Sequence, residues 1–181
     1  MLIKSVIGKV TKSITIIGPM GAGKTTVGLG LSRALGFDFI DMDKEIEKST
    51  GAEISWIFEK EGETGFRKRE KKLLNDLSRK VNIVVSTGGG IISDKENRET
   101  LKNFSTVFFL MCEPQTSLKR TKNDQNRPLL LNTNRLEKLK ELYEKRKSAY
   151  SYTAHYTIDV NKMSSKAAIN KILTVLKNGQ S

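Results

Sequence analysis

The sequence has almost none of the residues that build covalent or metal-based frameworks. Among its 181 residues Cys112 is the only cysteine, which excludes an internal disulfide and any metal site made of several cysteines. The apolar run VFFLMC around it favours a small buried side chain over a reactive thiol. His155 is the only histidine, and no partner spacing supports a histidine-based metal site or a Ser-His-Asp triad.

Proline and long hydrophobic runs are also scarce. Three prolines, with 37% hydrophobic and 29% charged residues, indicate a globular composition rather than a disordered or collagen-like one. No apolar run approaches the roughly 18 residues that cross a bilayer. The first twelve residues are basic and lack the apolar stretch and cleavage site of a secretory signal. We therefore expect a cytoplasmic protein with no membrane partner.

Acidic residues are outnumbered, with 20 Asp+Glu against 32 Lys+Arg, and the net charge of +12 raises nucleic acid as a partner. The charge is uneven, however. Residues 38–63 contain nine acids and three bases, whereas residues 119–147 contain ten bases and four acids. A cleft with a carboxylate side and a phosphate-binding side fits this layout better than a uniform nucleic-acid surface does. We therefore expect no nucleic-acid partner.

Short apolar runs alternate with helical patterns along the chain. The runs of strand type are SITIIG, FDFIDMD, NIVVSTG, TVFFLM and YTIDV, which begin at residues 13, 37, 82, 106 and 156. Nearly continuous apolar strands separated by helices predict an α/β fold, with a five-stranded parallel sheet and helices on both faces. No repeat or Pro/Gly-rich linker divides the chain, so we predict a single domain over residues 1–181, with insertions.

The strongest motif is GPMGAGKT at residues 18–25, which matches the pattern G-x-x-x-x-G-K-[ST] between an apolar strand and a helical segment. Its glycines let backbone N–H groups turn towards phosphates, and the helix N-terminus adds positive potential. We predict that Lys24 reaches the terminal phosphates of a nucleotide and that the Thr25 hydroxyl ligates Mg²⁺. The predicted nucleotide-binding residues of this loop are Gly21, Ala22, Gly23, Lys24, Thr25 and Thr26.

Two aspartates, Asp41 and Asp43, close the second apolar run. The carboxyl ends of parallel strands face the ligand crevice of an open sheet, so both side chains are expected there. One carboxylate can hold Mg²⁺ while the other accepts the proton of an attacking hydroxyl. The alternative is that Asp43, which precedes KEIEKS, is only a helix N-cap.

Two arginines on apolar helix faces suggest an anionic acceptor. Arg67 lies three residues before Glu70, so the two can pair and Arg67 can present its guanidinium to a carboxylate. An ordinary helix ion pair is the alternative. Arg146 projects from the apolar face of its helix, which favours an anionic partner over a side chain that snorkels to water.

Gly88, Gly89 and Gly90 end the third strand, where a small molecule can lie directly against backbone N–H groups. Farther along, Arg120 and Arg127 flank a polar segment. It indicates a basic lid over about residues 120–133 that closes on the transferring phosphate. A solvated charged loop is the alternative.

Together these motifs resemble the shikimate kinase family of small P-loop kinases. The resemblance covers about residues 13–175 and rests on GxMGxGKTTVG, DxD, GExxFRxxE, STGGG, RPLL and LYxxRxxxY. It implies a P-loop NTPase-type fold and ATP-dependent phosphorylation of the 3-hydroxyl of shikimate with Mg²⁺, in aromatic amino acid biosynthesis. The products would be shikimate 3-phosphate and ADP, and we expect a monomer.

On the nucleotide side, the resemblance implies that Lys24 binds phosphate and that Thr25 and Asp41 serve Mg²⁺. It makes Arg127 the lid arginine and places Arg120 near adenine. The sequence departs from the family at residues 161–165, NKMSS, where many members have an adenine loop with Arg and Pro.

On the acceptor side, the resemblance implies that Asp43 contacts the acceptor hydroxyl as a base and that Arg67 and Arg146 hold the carboxylate. It places Gly89 against the ring, between Gly88 and Gly90, and gives a substrate-binding segment of about residues 42–79.

Two alternative functions stay open. Another small-metabolite kinase, for gluconate or a nucleoside monophosphate, would share the phosphate loop. A nucleotide-binding regulatory or nucleic-acid module would perform no acceptor chemistry.

Overall fold

The computed structural model describes residues 12–122 and 134–178, in which strands and helices alternate. The strands are Ser13–Ile17 (β1), Asp38–Asp41 (β2), Ile83–Ser86 (β3), Ser105–Met111 (β4) and Tyr156–Asp159 (β5). The helices are Lys24–Leu35 (α1), Met42–Thr50 (α2), Ile54–Leu77 (α3), Lys95–Phe104 (α4), Pro114–Thr121 (α5), Arg135–Thr153 (α6) and Ser165–Asn178 (α7). A short 3₁₀ turn, Ile91–Ser93, follows β3. Across these residues no helix is long and apolar enough to cross a membrane.

The five strands form one parallel sheet in the order β2-β3-β1-β4-β5. The predicted α/β class and five-stranded parallel sheet are therefore confirmed. Because all strands run in the same direction, the segments that follow β1, β2 and β3 leave the sheet side by side at one edge. That edge receives the phosphate motif, the two aspartates and the glycine triplet.

Helices cover both faces of the sheet, which explains the continuous apolar runs of its central strands. On one face α1 and α7 pack on alternate strand residues such as Ile14 and Phe108. On the other face α3, α4 and α6 pack on their neighbours, Val107 and Phe109. Each face thus holds one apolar core, and the helices that carry Arg67 and Arg146 belong to the second.

The second strand is shorter than the predicted run of residues 37–43. It ends at Asp41, whose carboxylate accepts a hydrogen bond from the backbone N–H of Lys44 at 3.4 Å and caps α2. Asp43 therefore lies in the first turn of a helix rather than at a strand end. The alternative that Asp43 is the N-cap is wrong, because Asp41 takes that position.

Candidate active site

The phosphate motif forms the loop between β1 and α1. Gly23 occupies the N-cap of α1 with φ 90° and ψ 21°, a left-handed conformation that disfavours any residue with a Cβ. Without a side chain, Gly23 cannot cap the first N–H groups of α1. Those groups and the helix dipole therefore offer a binding site for an anion at the start of α1.

Lys24 lies along this loop rather than away from it. Its ammonium donates hydrogen bonds to the carbonyl oxygens of Gly18 and Pro19, both at 2.9 Å. The positive charge is thereby held beside the backbone donors of the loop, where it adds to the attraction for phosphate oxygens.

Thr25 and Asp41 bring two oxygen donors together from different elements. The Thr25 hydroxyl, in the first turn of α1, donates to Asp41 Oδ2 at 2.7 Å. A hydroxyl and a carboxylate are ligands that Mg²⁺ accepts, with phosphate oxygens and waters completing its octahedron. Residues 12–122 and 134–178 contain no group of three or more His, Cys, Asp or Glu side chains that could hold a metal alone. The oxygen pair therefore fits a metal that is bound jointly with a nucleotide.

On the acceptor side, Arg67 and Glu70 form the predicted ion pair, which is confirmed. Arg67 Nη1 donates to Glu70 Oε2 at 2.7 Å, and Nη2 donates to Glu63 Oε1 at 2.8 Å. The Glu70 side chain has no solvent exposure, whereas Glu63 is half-exposed. Two carboxylates thus fix the guanidinium of Arg67 on the crevice side of α3, just after a kink at Gly62.

The pKa of Glu70 shows how many charged groups meet around it. Burial has the largest effect and raises the pKa of this carboxyl, and Asp43 raises it further, while Arg67 and, more weakly, Arg146 lower it. Two acids and two guanidinium groups from α2, α3 and α6 therefore lie close enough to influence one another electrostatically.

The glycine triplet lets these side chains approach the backbone. A Cβ at Gly88 would lie 2.7 Å from Glu70 Oε1 and 3.0 Å from Asp43 Oδ1. A Cβ at Gly90 would collide with the guanidinium of Arg67. Side chains at either position would displace a charged group, so the absence of a Cβ is a packing requirement here.

Arg146 completes this half of the site from α6. It is only 8% exposed, a low value for arginine, and it faces the same crevice as Arg67. A cavity of about 880 Å³ is lined by the predicted site residues that the structure describes: Gly21, Ala22, Gly23, Lys24, Thr25, Thr26, Asp41, Asp43, Arg67, Gly88, Gly89, Gly90, Arg120 and Arg146. Arg127, with most of the expected lid, lies outside the described residues. The structure thus brings together residues from six separate parts of the sequence.

Arg120 joins the phosphate loop to the segment between β5 and α7. Its guanidinium donates to the carbonyl oxygen of Val160 at 2.7 Å and to that of Gly21 at 3.4 Å. Asn161 anchors the same segment, since its side-chain oxygen accepts from the N–H of Glu113 at 2.8 Å. The end of the crevice beyond the phosphate loop is therefore bounded by a tethered loop.

Sequence reasoning assigned no role to Tyr150, whose side chain reaches the glycine triplet of the site. It belongs to the apolar stripe of α6, yet its hydroxyl donates to the carbonyl oxygen of Gly89 at 2.5 Å. Burial raises the pKa of this phenol, so it stays protonated and able to donate. The available signal was chemical, because a buried tyrosine needs a partner for its polar tip.

Three comparisons with known proteins agree with this geometry. A family model described as shikimate kinase matches residues 20–177. A shikimate kinase from Methylococcus capsulatus is 48% identical over 162 residues, which are 90% of this chain and 90% of that protein. The structure of a shikimate kinase from Acinetobacter baumannii in complex with shikimate superposes with a TM-score of 0.93 at 44% identity, covering 98% of each chain. A shikimate kinase from Aquifex aeolicus superposes with a TM-score of 0.80 at 38% identity, covering 92% of this chain and 97% of that one.

Proposed function

This chain belongs to the shikimate kinase family, and from that premise we propose that it transfers the terminal phosphoryl group of ATP to the 3-hydroxyl of shikimate, with Mg²⁺ as cofactor. It is a kinase that phosphorylates shikimate in aromatic biosynthesis, and ATP is its phosphoryl donor. The position of the hydroxyl, the metal and the role of each residue are the finer parts of the proposal.

One observation carries these finer parts: the phosphate loop and an acid–guanidinium cluster line the same cavity. Asp43 and Arg67 both lie against the glycine triplet, and Arg146 reaches the cluster from α6. A ring that carries hydroxyls and one carboxylate matches this arrangement of charges.

Arg67 and Arg146 are assigned to the carboxylate of the acceptor. Their planar guanidinium groups match carboxylate geometry. Arg146 is nearly buried and Arg67 is partly buried, so their attraction for a carboxylate is stronger than at a fully exposed surface. Arg67 is held by Glu63 and Glu70, which limits the entropy lost when the ligand binds. Gly88, Gly89 and Gly90 would lie against the ring, because no side chain there keeps it from the backbone.

Asp43 is assigned as the base that accepts the proton of the attacking 3-hydroxyl. It stands in the first turn of α2, beside Gly88 and close to the buried Glu70. A carboxylate at hydrogen-bond distance from the hydroxyl both orients the nucleophile and takes its proton as the O–P bond forms. Most of the acceleration then comes from positioning and charge neutralisation.

On the nucleotide side, the N–H groups of the phosphate loop and Lys24 would bind the phosphates. Thr25 and Asp41 would hold Mg²⁺, which supplies neutralisation of phosphate charge when it is bound. Arg120 would lie near the adenine. We keep Arg127 as the lid arginine on the family resemblance alone.

Several expectations stay predictions. They are a single domain with a substrate-binding segment at about residues 42–79 and a lid at about 120–133, a cytoplasmic location, a monomer, and no nucleic-acid or membrane partner. Cell fractionation, size-exclusion chromatography and a salt titration of DNA binding check the last four.

An acceptor panel tests the proposed function. The protein is given ATP and Mg²⁺ with shikimate, gluconate or a nucleoside monophosphate, and ADP release is followed. Turnover with shikimate alone is expected, and phosphorus–proton NMR correlation should place the phosphate on C3. Turnover with another acceptor but not shikimate, or phosphate on another carbon, would contradict the proposal.

A further inference from the structure

Tyr150 connects two parts of the acceptor site that are far apart in sequence. Its hydroxyl donates to the Gly89 carbonyl at 2.5 Å. Its side chain lies one helical turn after Arg146 on α6, and both buried side chains line the same small pocket. Tyr150 is thus a helix neighbour of Arg146 and a hydrogen-bond donor to the glycine triplet.

The position of the phenol is fixed by packing. The ring stacks on Phe109 of β4, with centroids 4.9 Å apart and planes at 13°, and the residue is 1% exposed. A side chain packed in this way has few other rotamers, so the position of its hydroxyl is fixed relative to the sheet.

The Gly89–Gly90 peptide links the Tyr150 hydroxyl to the other arginine, Arg67. A trans peptide is planar, so fixing the Gly89 carbonyl also fixes the direction of the Gly90 N–H, which points the opposite way. Gly90 itself lies in contact with the guanidinium of Arg67. Tyr150 therefore lies beside Arg146 on α6 and reaches Arg67 through one peptide unit.

From this connection we propose that Tyr150 is a positioning residue, which sets the spacing of Arg67 and Arg146 and the orientation of the Gly89–Gly90 peptide for the acceptor carboxylate. It does not touch the reacting atoms. The inference rests on the proposed function, because the carboxylate is that of shikimate.

The substitution Tyr150→Phe tests the role, because it removes one oxygen and keeps the ring on Phe109. We expect the KM for shikimate, and its Kd measured by calorimetry without nucleotide, to rise about fivefold to tenfold, the usual effect of losing one hydrogen bond. The KM for ATP should be unchanged and kcat should fall much less than the KM rises.

Tyr152→Phe is the matched control. Tyr152 lies on the same helix, is exposed, and its hydroxyl donates to Glu99 Oε1 at 3.0 Å, away from the cavity. Its removal should leave both KM values at the wild-type level. If Tyr150→Phe has the same null effect, the proposal is wrong. It is also wrong if Tyr150→Phe lowers Tm and raises both KM values by the same factor, since that result indicates a structural role only.

A double-mutant cycle with Arg146→Lys tests whether Tyr150 affects shikimate binding through Arg146. If Tyr150 acts by positioning Arg146, adding Tyr150→Phe to Arg146→Lys should raise the shikimate Kd by clearly less than it does alone. A full, independent effect would refute the link to Arg146. Failure of the proposed function is distinguishable, because wild-type protein would then neither bind nor phosphorylate shikimate.

Discussion

The two halves of the site are built in different ways. The nucleotide half is built around one continuous segment, residues 18–25, whose main donors are backbone N–H groups at the start of α1. The acceptor half consists of side chains from α2, α3 and α6 that meet over a glycine turn after β3. Backbone conformation therefore decides the first half, while side-chain charge and long-range packing decide the second. Substitutions should separate the two halves kinetically.

The largest effect is expected in the acceptor half from Asp43→Asn. The amide keeps the size of the side chain and cannot accept the proton, so kcat should fall by about 10² to 10⁴. Calorimetry should find ATP binding retained, because the phosphate loop is unchanged. Asp38→Asn is the control, since Asp38 is exposed at the other end of β2. Wild-type turnover in Asp43→Asn would remove the base from the mechanism.

Arg67→Lys should produce the next largest effect. Lysine keeps the charge but loses the planar pair of donors, so the KM for shikimate should rise about 10- to 100-fold, which corresponds to the typical value of a charged hydrogen bond. The KM for ATP should not change. Arg69→Lys is the matched control, because Arg69 pairs with Glu61 on the more exposed side of α3. Equal effects of both substitutions would contradict the assignment.

Gly23→Ala, in the nucleotide half, should have the opposite selectivity: it should weaken ATP binding and leave shikimate binding unchanged. A Cβ there meets no atom within 4 Å, so the cost comes from the left-handed φ alone, about 1 to 2 kcal/mol. We expect the KM for ATP to rise about tenfold with shikimate binding unchanged. Gly36→Ala carries the same kind of strain, at φ 70° after the end of α1, and again meets no neighbour. It should lower Tm without altering either KM, and a raised ATP KM in Gly36→Ala would contradict the distinction.

The smallest effect is expected outside both halves, at His155. Its Nδ1 accepts a hydrogen bond from the N–H of Val107 at 3.0 Å, which requires the unprotonated nitrogen. Partial burial of the ring, with smaller contributions from Lys102 and Lys12, lowers the pKa of this imidazole below its ordinary value of 6.5. The unfolded chain therefore binds the proton more readily than the folded one.

Stability should consequently be unaffected above pH 6.5 and should decline as the pH falls below 6.5 towards the lower pKa of the folded state. Urea unfolding at pH 8, 6.5 and 5 measures this change. His155→Asn offers an acceptor that does not titrate, so its curve should be flatter over this range. The same slope in both proteins would exclude His155 as the cause.

The sequence predicts the nucleotide half of the site more completely than the acceptor half. The phosphate loop is a local pattern whose chemistry and conformation depend on adjacent residues, so its position after β1 and before α1 could be predicted. The pairing of Arg67 with Glu70 also follows from local helical spacing. Asp43 was expected at a strand end, because nothing in the run FDFIDMD marks Asp41 as the cap that starts α2.

Contacts between distant segments could not be predicted in the same way. Tyr150 reads as one more apolar residue on α6, and only the tertiary structure places its hydroxyl at Gly89, 61 residues away. His155 likewise carries no local signal for its bond to Val107, 48 residues away. Periodicity identifies the face of a helix but not the backbone group that a buried polar tip will meet.

A crystal structure of the complex with shikimate and ADP tests most directly whether the two halves face each other across one substrate. The carboxylate is expected within hydrogen-bond distance of both Arg67 and Arg146, with the 3-hydroxyl beside Asp43 and directed at the terminal phosphate of ADP. Shikimate bound with its carboxylate away from both arginines, or with another hydroxyl facing Asp43, would contradict it.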